Sequence, residues 1–220
     1  MADVLSQLIL LGIAAAFSTV PVTAAILLLL SDRRAAAAFP FLAGTVIGTF
    51  SALSIMTLLS ASLPGRSREK HDLIDRLNLW IGIALVLLGL FALARQSRRE
   101  RAPRRPAWLD QIASFGALPA LGIGLALNLR PKALLLVGAG SLAIADGGLT
   151  DAAALVAIVV YTVVASSTVV APVVAAALFP ERMEPRLVAA RDWLTGHAAV
   201  IGAGFLILIG GLIIGAALSG

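Results

Sequence analysis

The sequence predicts an all-α polytopic membrane protein with six transmembrane helices, arranged as a 3+3 inverted repeat whose first and fourth helices are broken. Three observations predict it. The 220 residues are 60% hydrophobic and 13% charged, with a mean hydropathy of +0.99, too apolar for a soluble domain of this size. The apolar residues fall into six continuous runs, each long enough to cross about 30 Å of hydrocarbon, whereas a β-barrel would show short period-two segments. Proline stands beside polar residues in the middle of the first and fourth runs, at Pro21 and Pro131.

The first run extends from about Val4 to Leu30 and follows Met1-Ala2-Asp3, with no basic n-region and too many apolar residues for a signal h-region, so it reads as a retained span. The second, about Ala36 to Leu63, carries Thr45, Thr49, Ser51 and Ser54, hydroxyls of the kind that pack between membrane helices, and Gly44-x-x-x-Gly48, which permits close helix approach. The third runs from about Leu77 to Ala94. A basic segment at 96–111 then separates a first three-helix half, 1–95, from a second, 112–220. The fourth span covers about Phe115 to Ala145. The fifth, about Ala152 to Phe179, contains Ser166, Ser167, Thr168 and Pro172, and the sixth, about His197 to Leu218, contains Gly211-x-x-x-Gly215. Trp80, Trp108 and Trp193 fall near span ends and read as interfacial anchors.

The formal charge of +5 does not indicate nucleic acid, because the cations sit in short segments beside spans, where they act on lipid head groups and on topology. Eleven arginines follow spans 1, 3 and 5: Arg33 and Arg34, then six between Arg95 and Arg105, then Arg182, Arg186 and Arg191. The opposite side carries Arg66, Arg68, Lys70 and Arg76, nearly neutralised by Glu69, Asp72 and Asp75. The positive-inside rule places the arginine-rich side in the cytoplasm of a plasma membrane and both termini outside it. No cysteine is present, which excludes a thiol redox relay or a thiolate metal site. His71 and His197 have no partners at metal-ligand spacing, and no cofactor is expected.

The residues that call for a function are Asn128-Leu129-Arg130-Pro131-Lys132, which put two cations where the bilayer midplane should be. Each cation costs roughly 2.5–3.5 kcal/mol there on insertion scales. Snorkelling is the competing reading, but Arg130 is about fifteen residues from either end of its run, beyond comfortable side-chain reach. On a continuous helix Lys132 lies under Asn128, while Arg130 points roughly 160° away. Unwinding at 128–130 would let all three face inward and make Pro131 the first residue of a half-helix, where its missing N–H is harmless. Ser18 and Thr19 ahead of Pro21, with Thr23 after it, offer a matching uncharged start on helix 1. A proline followed by a leucine run recurs in helices 1 and 4, and with three spans per half the halves insert in opposite orientation.

No acidic residue lies deep in a span, and Asp3, Asp32, Asp146 and Asp151 all sit at span ends, so the core is net positive. An anionic group, carboxylate, phosphate or sulfate, would complete the site, and a cationic substrate would be repelled. Candidate binding residues are therefore Asn128, Arg130 and Lys132 with Ser18, Thr19 and Thr23, and Ser166, Ser167 and Thr168 on helix 5; Pro21, Pro131 and Pro172 are candidate helix breakers. An intramembrane enzyme would need a nucleophile with a base, such as Ser18 or Ser166 with Lys132, and no local signature supports that pairing. A scaffold for envelope-lipid assembly, docking through the basic segment, is a third reading.

The segments Phe17-Ser18-Thr19-Val20-Pro21-Val22 and Asn128-Leu129-Arg130-Pro131-Lys132-Ala133, with six helices and an arginine-rich centre, resemble the GAP family. These are the glycopeptidolipid- and sulfolipid-addressing membrane proteins of actinobacteria, within the lysine exporter superfamily. The asparagine-x-x-proline-lysine pattern is similar to the Asn-Pro-Lys signature of amino-acid exporters there. Their proline-glycine-proline motif of helix 1 is reduced here to Pro21, which argues against amino-acid export. The resemblance implies a transporter that moves a cell-envelope glycolipid or its precursor across the plasma membrane. The expected partners are membrane lipids and a second copy of the chain or an envelope-lipid biosynthesis protein.

Overall fold

The computed structural model describes residues 1–31, 34–62, 67–97 and 116–219. Among them every regular element is helical. Helices α1 (Ala2–Ala16) and α2 (Thr19–Leu29) meet at 56°, and α5 (Ala117–Ala126), continued by a 3₁₀ turn at Leu127–Leu129, meets α6 (Pro131–Asp146) at 64°. Between and after them lie α3 (Arg34–Ala61), α4 (Ser67–Ser97), α7 (Asp151–Leu178) and α8 (Pro180–Ser219). With each bent pair counted as one span, six spans are long and apolar enough to cross a membrane, as the sequence predicts. Of the basic segment at 96–111, residues 98–111, with Trp108, lie outside the described residues.

Helix neighbours repeat between the halves. The half-helix α1 packs along α7 as α5 packs along α3; α2 lies against α7 as α6 lies against α3; and α4 packs on its own counterpart, α8. Glycines set the closest of these approaches. A Cβ on Gly44 would collide with the Leu121 carbonyl and one on Gly124 with the Phe41 carbonyl, so α3 and α5 touch backbone to backbone. Gly82 and Gly210 do the same for α4 and α8, where a Cβ on Gly210 would stand 2.7 Å from the Gly82 oxygen. Gly211 and Gly215 face open space.

The core is aliphatic. Leu8, Leu53, Leu85 and Leu136 are wholly buried beside Tyr161, while many large apolar side chains face outward, Leu58, Leu118 and Leu218 among them, as lipid-facing surfaces do.

One segment differs from the sequence expectation. The stretch carrying Arg182 and Arg186 is not a loop, because α8 runs for 40 residues, about 60 Å at 1.5 Å per residue, and only Val200–Leu218 forms its apolar span. Pro180 occupies the helix start, where proline costs little, and Pro185 lies inside the helix, in its second turn. Met183, Leu187 and Ala190 recur at helical spacing and pack against Ile26, Leu29 and Val173, leaving Glu181, Arg182, Glu184 and Arg186 exposed.

Candidate functional site

Both breaks follow from local chemistry. Arg130 precedes a proline, which disfavours the α region, and its backbone is extended at φ −72°, ψ 148°. The 3₁₀ turn tightens the end of α5, and Pro131 opens α6 as its first residue. Unwinding is thus narrower than 128–130: one extended residue after a 3₁₀ turn suffices. On helix 1 the extended residue is Ser18, at φ −99°, ψ 113°, and Pro21 falls in the first turn of α2, where backbone donors have no intrahelical acceptor.

The two breaks are held together by the cations. Arg130 donates from Nε to the Leu127 carbonyl at 2.9 Å and from Nη2 to Ser18 Oγ at 3.1 Å. Lys132 Nζ donates to the Phe17 carbonyl, the end of α1, at 3.3 Å. Thr168 of α7 donates to the Ala16 carbonyl at 2.8 Å. The cations therefore cap the carbonyl ends of α1 and of the α5 segment, where partial negative charge of roughly half an electron gathers. Opposite them, neither Ser18 nor Arg130 makes a side-chain cap to the amides of α2 or α6, so both half-helix starts present uncapped donors. At each break the two opposed half-helix ends nearly cancel, which leaves two formal positive charges.

Asn128 has a different task. Its Oδ1 accepts from Thr49 Oγ1 at 2.8 Å, and its Nδ2 donates to the carbonyls of Gly124 at 3.1 Å and Thr45 at 3.4 Å. The amide ties the 3₁₀ turn to α3, and Gly48 leaves the room for it.

These groups surround a cavity of about 50 Å³, room for a few water molecules. Ser18, Pro21, Asn128, Arg130, Lys132 and Thr168 line it, and among its lining residues no aspartate or glutamate occurs. Sequence reasoning did not place Thr45, Thr49 and Tyr161 there, although all three contribute walls. Conversely Thr23, Ser166, Ser167 and Pro172 are not among the lining residues. Ser167 is exposed and bonds back to Val164, and Ser166 Oγ is buried with no partner among the described residues. The Thr19 side chain lies outside the described residues.

A protein-family model described as SfLAP (Sap, sulfolipid-1-addressing protein) matches residues 8–219, nearly the whole chain. No curated protein and no solved structure matches it.

Proposed function

The chain belongs to the sulfolipid-1-addressing protein family, and from that premise we propose that it is a plasma-membrane exporter of an anionic, amphiphilic organic substrate, a cell-envelope glycolipid or its precursor. The observation that carries this reading is the pair of cations at two apposed helix breaks, around a cavity with no carboxylate in its walls. Arg130 and Lys132 bind the anionic group, exchanging the Ser18 hydroxyl and the Phe17 carbonyl for it. The uncapped amides of α2 and α6 add donors. Asn128 positions the break through α3, and no catalytic step is assigned.

Transport follows from the repeat. Two similar halves, each beginning with a broken helix, rock against one another and expose the central site to either side in turn. The basic segment at 96–111 lies on the cytoplasmic side, with both termini outside. A cavity of about 50 Å³ holds no lipid, so the structure corresponds to a closed state in this scheme. The same small volume favours a second reading, export of a small anionic metabolite.

A panel of substrates in proteoliposomes separates the two. Movement of a fluorescent anionic lipid, and not of its zwitterionic counterpart, supports the lipid exporter. Movement of amino acids or other small anions alone supports the metabolite exporter. No movement by folded protein favours a scaffold.

A further inference from the structure

A second cavity, of about 360 Å³, lies between the first turns of α1, the start of the α4 span, and the last turns of α6 and α8. All four of those ends lie at the face that carries the termini. The rim is polar, formed by Gln7, Asp75, Asn78 and Asp146, and the deeper walls are aliphatic, with Leu10, Leu11, Ile209, Leu212 and Ile213. On α6 its walls run from Asp146 back to Ala139, about 10 Å of helix rise. On the same helix the central cavity is lined by Val137, Leu136, Ala133 and Lys132, so the two linings come within two residues of each other. The helix α1 repeats the sequence: Gln7 to Leu11 line the funnel, and Ala15 and Ala16 line the central cavity. Both cavities thus lie along the same two helices, one behind the other.

At the inner end of the funnel, leucines pack over the backbone of α6. A Cβ on Gly140 would meet Leu8 Cδ2 at 3.1 Å, Leu53 Cδ1 at 3.5 Å and Leu11 Cδ1 at 3.9 Å, so three side chains from α1 and α3 converge on the bare backbone of α6. Leu8 and Leu53 are wholly buried, as is Leu136 beside them.

We propose that the funnel binds the apolar chain of the amphiphile whose anionic group is handled by Arg130 and Lys132, and that Leu8 and Leu53 seated on Gly140 form the gate between them; this rests on the exporter reading above. The volume falls within the range of about 300–1,000 Å³ typical of ligand pockets, and the aliphatic walls suit a hydrocarbon chain. The central cavity, by contrast, is too small for one. Charge complementarity assigns the two ends of the ligand. Arg130 and Lys132, beyond the gate and with no carboxylate among the residues lining their cavity, attract the anionic end, and the aliphatic funnel takes the apolar one.

The chain has no cysteine, so single cysteines report without background. In nanodiscs, Ala143→Cys on the funnel wall and Ala133→Cys on the central cavity are labelled with a small anionic thiol reagent. Ala143→Cys should react at least about tenfold faster, and octyl phosphate should slow it severalfold while inorganic phosphate leaves it unchanged. Leu53→Ala, or Leu8→Ala should the first not fold, should raise labelling of Ala133→Cys severalfold without altering Ala143→Cys. Protection by octyl phosphate should persist in Arg130→Ala/Lys132→Ala, which separates the funnel from the central site. Equal labelling of the two positions, indifference to both leucine variants, or no protection by octyl phosphate in either background would overturn the inference, whatever the exporter assay shows.

Discussion

Arg130 and Ser18, 112 residues apart in sequence, join the two broken helices directly: the guanidinium Nη2 of the second break donates to the hydroxyl at the first, 3.1 Å away. Neither residue is regular helix; each is the single extended residue between two half-helices. The bond therefore connects the two helix breaks through their own extended residues.

A double-mutant cycle between Ser18→Ala and Arg130→Gln should show a coupling of about 0.6 kcal/mol and at most about 1.7 kcal/mol, the mean and maximum found for hydrogen bonds between membrane helices. Reversible unfolding in mixed micelles supplies the four free energies. A coupling indistinguishable from zero would mean that the two breaks move independently.

The cations should cost stability. Lys132 has a backbone carbonyl for a partner, and no carboxylate lines its cavity. Lys132→Met removes an uncompensated midplane charge and should stabilise the fold by about 1–3 kcal/mol while reducing transport. Lys132→Arg should keep transport and not gain stability. A Lys132→Met protein less stable than wild type would show that the Phe17 contact outweighs desolvation.

The contact between α3 and α5 should be intolerant of a single methyl group. A Cβ on Gly48 would stand 2.5 Å from Asn128 Nδ2 and 3.2 Å from Leu125 Cα, so Gly48→Ala should cost about 1–3 kcal/mol. Gly211→Ala, with nothing within 4 Å, should be neutral. Thermal melts of the two variants provide the comparison, and equal midpoints would contradict the packing.

Pro131 sits where its missing N–H is harmless, so Pro131→Ala should change stability by no more than about 0.4–1 kcal/mol. Freed from the pre-proline restriction, Arg130 could then enter the helix and straighten the 64° bend. Spin labels at Leu118 and Ala145 should report a longer separation, with slower transport. An unchanged distance would mean that Asn128 and α3 alone hold the break.

Much of this was legible in the sequence, and the reasons are physical. Six spans follow from runs of hydrophobicity that nothing else explains, and the break at Arg130 follows from a proline beside two cations at mid-membrane depth. The partners of those cations were not legible. Lys132 meets the carbonyl of Phe17, and every residue has a carbonyl, so no side-chain pattern marks it. Thr45 and Thr49 look like any packing hydroxyls of a membrane helix until the fold sets Asn128, 79 residues beyond Thr49, against them. The helical lead of α8 was not legible because its packed residues, Met183, Leu187 and Ala190, are few and stand among charged neighbours. Ser166 and Ser167 share a helix with Thr168, yet Thr168 alone of the three reaches the break.

The most direct test of the central claim compares wild type with Arg130→Gln/Lys132→Gln in proteoliposomes, using fluorescent anionic and zwitterionic lipids, after circular dichroism and thermal melting have shown that the variant inserts and folds. Wild type should move the anionic lipid, and the variant should move it at least about tenfold more slowly, a loss of about 1.4 kcal/mol or more in transition-state stabilisation. A folded variant that moves the anionic lipid at the wild-type rate would contradict the assignment of Arg130 and Lys132 as the anion site.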